Sequence, residues 1–182
     1  MVVLQRKFQI ETGVGEHETV DYLLGILHDA RATTFRYIQG ITENELDWQP
    51  FPGWNTIGAL LQHIIACDYF FNVYFIDKRP LTTEEEKTWT PALDLGVHVD
   101  ELKGKTLEFY DKELMKSHQF LTERIKQLNF TQLFEKRFGV YDKENGSNLA
   151  WILYHKAEDE VHHRGQISML RKLYKQMTEE AK

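Results

Sequence analysis

A single cysteine, Cys67, stands among the 182 residues. One thiol cannot form an internal disulfide, so a small secreted domain stapled by disulfides is excluded. Basic residues are also in short supply. Lys and Arg number 22 against 28 Asp and Glu, giving a net charge of −6 and a pI near 5.8. A surface of that sign repels phosphate backbones and anionic lipid, and no basic stripe interrupts it. Nucleic acid and membrane surfaces are therefore poor partners. Long apolar runs are missing as well: the longest, around Ile64 to Ile76, is broken by Asp68 and Asn72 and is too short to span a bilayer. The opening Met1-Val-Val-Leu-Gln-Arg-Lys7 has too short an apolar stretch for a signal peptide. These absences predict a soluble, cytoplasmic protein. Strand signals are weak too. Residues 2–10 and 138–141 could be extended, but neither can build a sheet-based core. There is no internal repeat and no low-complexity tract.

What remains is enough for an ordinary core. Hydrophobic residues make up 42% and aromatics 13%, well away from disordered compositions. The length predicts one domain over residues 1–182.

Four segments carry helical periodicity, and the spacers between them hold the prolines. From about Glu16 to Tyr37, the residues Tyr22, Leu23, Ile26, Leu27, Ala30, Thr34 and Tyr37 repeat at three- and four-residue steps, with Gly40 as the stop. Thr42 and Glu45 can cap a short turn ahead of Pro50 and Pro52. Asn55 or Thr56 caps a second helix carrying Ile57, Leu60, Leu61, Ile64, Cys67, Phe71 and Tyr74, which ends before Arg79-Pro80. Leu81 to Gly104 reads as a long acidic connection with at most a turn of helix. A third helix runs from about Lys105 to Leu128. A fourth, capped by Ser147 or Asn148, runs to about Met177. Four amphipathic helices with long connections predict an all-α fold, a four-helix bundle.

Function shows where polar groups interrupt an apolar stripe. On the fourth helix Leu149, Ile152, Ile167, Leu170 and Tyr174 define the inward face, and Asp159 and His163 fall within it, one turn apart. His155 lies nearer its edge, and Gln166 leans inward. A carboxylate in a bundle core is costly unless it is paired or bound to metal. The i, i+4 spacing also lets two side chains of one helix hold the same ion. On the second helix, His63 stands between Leu60 and Cys67. Two imidazoles and one carboxylate leave positions open for water or substrate and suit zinc, nickel, iron or manganese. The same residues have a plainer reading, in which Asp159 and His163 form a local salt bridge and His63 is a core histidine with a hydrogen bond. In that reading Lys156 is exposed, Glu158, Glu160 and His162 are solvated or support a ligand from behind, and Cys67 is a small buried apolar group. Trp48, Trp54, Phe70 and Tyr74 either line a pocket near the second helix or pack in the core. His17, His28 and His98 have no evident partner, and His118 falls on the third-helix stripe as a core histidine.

The segment Trp54-Asn-Thr-Ile-Gly-Ala-Leu-Leu-Gln-His63-Ile-Ile-Ala-Cys-Asp resembles the second-helix signature of the DinB/YfiT-like metalloenzyme superfamily. Trp151-Ile-Leu-Tyr-His155-Lys-Ala-Glu-Asp159-Glu-Val-His162-His163-Arg-Gly-Gln166-Ile resembles its fourth-helix signature. The resemblance, from about Glu16 to Tyr174, implies an up-down-down-up bundle, often a homodimer, with a divalent metal held by three histidines. Those positions match His63, Asp159 and His163. Asp in place of His at 159 makes a harder site, with His155 in reserve as a ligand or supporting partner. Relatives include transferases and isomerases that use low-molecular-weight thiols such as bacillithiol or mycothiol, alongside members with no known activity. The resemblance thus implies a metal, zinc or nickel first, with a thiol cosubstrate and a detoxifying S-transferase activity. The alternative is a non-enzymatic, stress-related or partner-binding bundle with an inert metal site. Arg164 is either an anion contact or a salt-bridge partner of Glu160.

Overall fold

A computed structural model describes residues 4–137 and 143–179. Among the described residues, four long helices form the bundle: α1 (Glu18–Ile38), α3 (Ile57–Phe70, continued by a widened turn over Phe71–Ile76), α5 (Leu107–Ile125) and α7 (Leu149–Glu179). Helix α1 packs against α7 and α5, and α3 packs against the same two. Three short helices occupy the connections: α2 (Glu43–Leu46), α4 (Thr83–Leu93) and α6 (Phe130–Phe134). The only sheet among the described residues pairs β1 (Lys136–Arg137) antiparallel with β2 (Ser147–Asn148). Residues 4–10 form no strand, and the expected extension at 138–141 lies outside the described residues.

Local chemistry sets the helix starts. Thr42, Thr56 and Thr106 each accept a hydrogen bond from the backbone N–H three residues on, satisfying a donor that has no partner within the helix. Asn148 does the same for Trp151 at the head of α7. His17, expected to be a surface residue without a partner, caps α1 through its ring, with Nδ1 accepting from the Thr19 N–H.

The Leu81–Gly104 connection corrects the sequence reading. It contains the eleven-residue helix α4, followed by a 3-10 turn over Val99–Leu102. Thr82 and Glu85 make a reciprocal capping box, and Arg79 grips the same Glu85 carboxylate at 2.7 and 2.8 Å. Those contacts outweigh the acidic composition that reads as loop. Pro91 lies near the end of the helix and brings no N–H, so the Lys87 carbonyl lacks its intrahelical donor. The apolar run around Ile64 also proves longer than its polar interruptions suggest. The helical stretch Ile57–Ile76 is long and apolar enough, by composition, to cross a membrane, yet it is the core helix of the bundle and mostly buried.

The core has two main apolar clusters, beside a smaller one around Ala92 and Val99. Of the main two, one gathers Leu27, Phe71, Phe75, Leu121, Leu149 and Ile152; the other gathers Phe35, Ile38, Ile64, Tyr110, Leu114 and Ile167. Between them in sequence, on all four helices, fall Arg31, Asp68, Ser117, Lys156 and Glu160, all buried. Arg31 Nε donates to Glu160 Oε1 at 2.8 Å, and its Nη2 donates to Asp68 Oδ2 at 2.9 Å. Ser117 Oγ donates to Asp68 Oδ2 at 2.6 Å, and Lys156 Nζ lies 3.0 Å from Asp68 Oδ1 and 3.3 Å from Glu160 Oε2. Two cations balance two anions in this layer. Lys156 and Glu160, expected at the surface, are its members instead: both continue the inward stripe of α7, where only mutual pairing makes a buried charge tolerable.

Gly58 marks a close helix contact. A Cβ there would meet the Tyr110 hydroxyl at 2.7 Å and the Leu46 carbonyl at 3.3 Å. Gly58→Ala should lose about 1 kcal/mol or more, because overpacking a rigid, buried ring costs about 1–3 kcal/mol and the helix-propensity gain offsets at most about 1. Gly165→Ala in α7, with open space around the added carbon, should instead gain up to about 1 kcal/mol. Urea unfolding of both variants checks the pair; equal midpoints would show that the α2–α3–α5 contact is slack.

Candidate metal centre

The charged layer fixes how α7 turns. With Lys156 and Glu160 held inward, Asp159 and His163 face α3 and meet His63. Asp159 Oδ1 lies 3.2 Å from His163 Nε2, and Oδ2 lies 3.5 Å from His63 Nε2. The two imidazole rings meet edge to face with centroids 4.8 Å apart. The three residues singled out by stripe position are thus brought together. Unlike the charged layer, this cluster is reachable from solvent: the side chains of His63 and Asp159 are 12% and 25% exposed.

Each ring is held by its other nitrogen. His63 Nδ1 lies 2.9 Å from the Ala92 carbonyl. That carbonyl sits in the last turn of α4, where a C=O has no intrahelical partner. A carbonyl only accepts, so Nδ1 carries the proton and Nε2 presents its lone pair toward Asp159. His163 Nδ1 is likewise 2.8 Å from Gln166 Oε1, while the Gln166 amide nitrogen contacts His162 Nε2 at 3.1 Å. Two lone pairs therefore face one carboxylate, each at its own oxygen. Such a set needs a cation or extra protons between its members.

Protons on the two Nε2 atoms are the alternative to a cation, and Asp159 favours them. Burial alone raises the Asp159 pKa, but hydrogen bonds from His163 and His63 outweigh it and hold the carboxyl far below the usual carboxylate range. Burial depresses His163, yet the Asp159 carboxylate prevails and raises its pKa above the ordinary imidazole value.

Cys67 joins the cluster, with Sγ 3.4 Å from His63 Nε2. One donor atom from each of His63, Cys67 and Asp159 falls within 4.8 Å of the others, a group that could hold a metal ion. From the sequence alone Cys67 reads as core filling. The available signal was its i, i+4 relation to His63, the same spacing that drew attention to Asp159 and His163. Neither the full length of α4 nor its contact with His63 is legible in the sequence.

Other expected residues lie elsewhere. His155 stacks on Trp151 and pairs with Glu158 at 3.2 Å. Arg164 donates to the Ala30 carbonyl and lies over the Tyr37 ring rather than pairing with Glu160, whose carboxylate is turned inward to Arg31 and Lys156. His28 and His98 contact the Gln5 carbonyl and Glu101 respectively. Phe70 and Tyr74 stack on each other, and Trp48 packs on Tyr174. Trp54 alone of those four aromatics lines a cavity of about 330 Å³, together with Leu60, Gln166 and Met169. Gln166 links that cavity to His163.

Helical fold and site together define an all-α bundle with a His/Cys/Asp cluster between its second and fourth long helices. The chain belongs to the DinB superfamily, whose family profile matches residues 26–167. It is similar in fold to a conserved protein from Enterococcus faecalis known by its crystal structure. The TM-score is 0.56 at 19% identity, over 86% of this chain and 92% of the other. No curated protein matches the chain in sequence.

Proposed function

We propose that this chain is a divalent-metal protein with His63, Asp159 and His163 as ligands, and that it acts as a metal-dependent S-transferase on a low-molecular-weight thiol of the bacillithiol type. The observation that carries the metal is the double presentation of Nε2 lone pairs to one carboxylate, each imidazole fixed by an acceptor behind it. Zinc or nickel suits the nitrogen-rich set best, with iron or manganese next. A bound ion of this kind supplies Lewis acidity, lowering the pKa of a thiol and favouring its thiolate. The chain's own residues do the rest. Ala92 and Gln166 orient the rings, the charged layer sets which face of α7 turns to α3, and Asp159 keeps partial contact with solvent. The cavity beside Trp54 and Gln166 supports a small organic substrate.

The same reading takes the protein as a cytoplasmic homodimer. Its support is the exposed apolar face on α1 and α7, where Ile26, Tyr154 and Val161 line one groove.

Elemental mass spectrometry on tag-free protein tests the metal. Wild type should carry about one zinc, nickel, iron or manganese per chain, and Asp159→Ala and His163→Ala should each lose it. Wild type that stays metal-free after incubation with each ion would leave a protonated Asp–His cluster in a non-enzymatic bundle. With metal bound, screening thiols against electrophiles tests the transferase; turnover should vanish in His63→Ala.

A further inference from the structure

Cys67 follows His63 by one turn of α3, and its sulfur approaches the very nitrogen that faces Asp159. The Sγ–Nε2 separation is 3.4 Å and the Oδ2–Nε2 separation 3.5 Å. Ligands bound to one tetrahedral ion at about 2.0 Å for nitrogen or oxygen and about 2.3 Å for sulfur stand about 3.3–3.8 Å apart. Both spacings around His63 Nε2 fall within that range. A neutral thiol donating weakly to the ring would sit at a similar distance, and burial does push this thiol up, away from ionisation. A bound cation reverses that preference, because a coordinating thiol is deprotonated outright.

We infer that Cys67 is a fourth ligand of the centre, binding as thiolate beside His63, Asp159 and His163. This rests on the metal-centre reading above and adds a consequence to it. Three donors leave a position open, whereas four close a tetrahedral ion. The resting centre is then capped by the chain's own sulfur, and an incoming thiol competes with Cys67 for one place. The sulfur also shifts selectivity toward ions that favour thiolate, such as zinc, and away from magnesium and calcium.

Cobalt(II) in place of the native ion reports sulfur directly. Tag-free protein, stripped of metal and loaded with cobalt, should show thiolate-to-cobalt charge-transfer absorption in the near ultraviolet beside ligand-field bands in the visible. The chain has only one cysteine, so that absorption has a single source. Cys67→Ala and Cys67→Ser should keep the visible bands and lose the charge-transfer band, and adding 2-mercaptoethanol to Cys67→Ala should restore it. The wild-type spectrum is decisive even if a variant fails to fold. Visible bands without charge transfer overturn the Cys67 assignment and leave the metal centre standing. No cobalt uptake in equilibrium dialysis overturns both.

Discussion

Arg31→Met should destabilise the protein by about 3–5 kcal/mol, the cost of removing one partner from a buried ionic cluster. The guanidinium makes bonds to Glu160, Asp68 and the Leu114 carbonyl, and both carboxylates have side chains 1% exposed. Asp68 and Glu160 both have pKa values lowered despite their burial, chiefly by Arg31 and then by Lys156. With Arg31 gone, Lys156 must serve two anions alone. A large share of a domain's net stability, about 5–15 kcal/mol, is then at stake. The effect should reach the metal centre, since the same contacts set the face that Asp159 and His163 present. Cobalt or zinc affinity should therefore fall in Arg31→Met although Arg31 touches neither ligand. A companion variant, Arg31→Met with Glu160→Leu, should recover part of the loss, because no carboxylate is then stranded opposite α1. Urea midpoints measure both. A loss under about 1 kcal/mol, the range of an exposed ion pair, would show that water reaches this layer.

Lowering the pH from 7 to 5 should cost about 2 kcal/mol through His118 alone. Its ring is 5% exposed on α5, and burial first, then the Arg31 charge, pushes its pKa down to about 3 against partial compensation from Asp68 and Glu160. The unfolded chain binds a proton near its ordinary value of 6.5. Between those values the unfolded state holds more protons, so stability rises with pH. The contribution is complete above the unfolded pKa and disappears as pH falls toward the folded one, at about 1.4 kcal/mol per unit. His163 acts with the opposite sign: its raised pKa gives stability present below 6.5 and lost as pH rises through the folded value. Comparing wild type with His118→Gln at both pH values cancels that part. The variant should lose most of the slope; parallel curves would mean that His118 is solvated in the folded state.

Much of this was legible in the chain itself. A helical stripe repeats every three to four residues, so the four long helices, the Thr42 and Thr56 caps and the inward placement of Asp159 and His163 all follow from periodicity. The same rule places Arg31 between Leu27 and Phe35, Asp68 between Ile64 and Phe71, and Lys156 and Glu160 on the stripe of α7. Charge alone made Lys156 and Glu160 read as surface residues, because their cost in a core depends on partners that one helix does not reveal. Helix α4 was hidden for a different reason. Its acidic first turn resembles a loop until Arg79 is seen closing on Glu85.

The sequence by itself determined an all-α bundle, its helix registers and three polar groups turned toward its core, because local propensity and burial pattern are properties of neighbouring residues. Only the tertiary structure decided what those groups do. It aimed the Ala92 carbonyl at His63 Nδ1, set Cys67 beside Nε2, and joined Arg31, Asp68, Lys156 and Glu160 across all four helices. Each of those is a contact between distant segments, where a proton's position or a buried charge's partner depends on how helices meet.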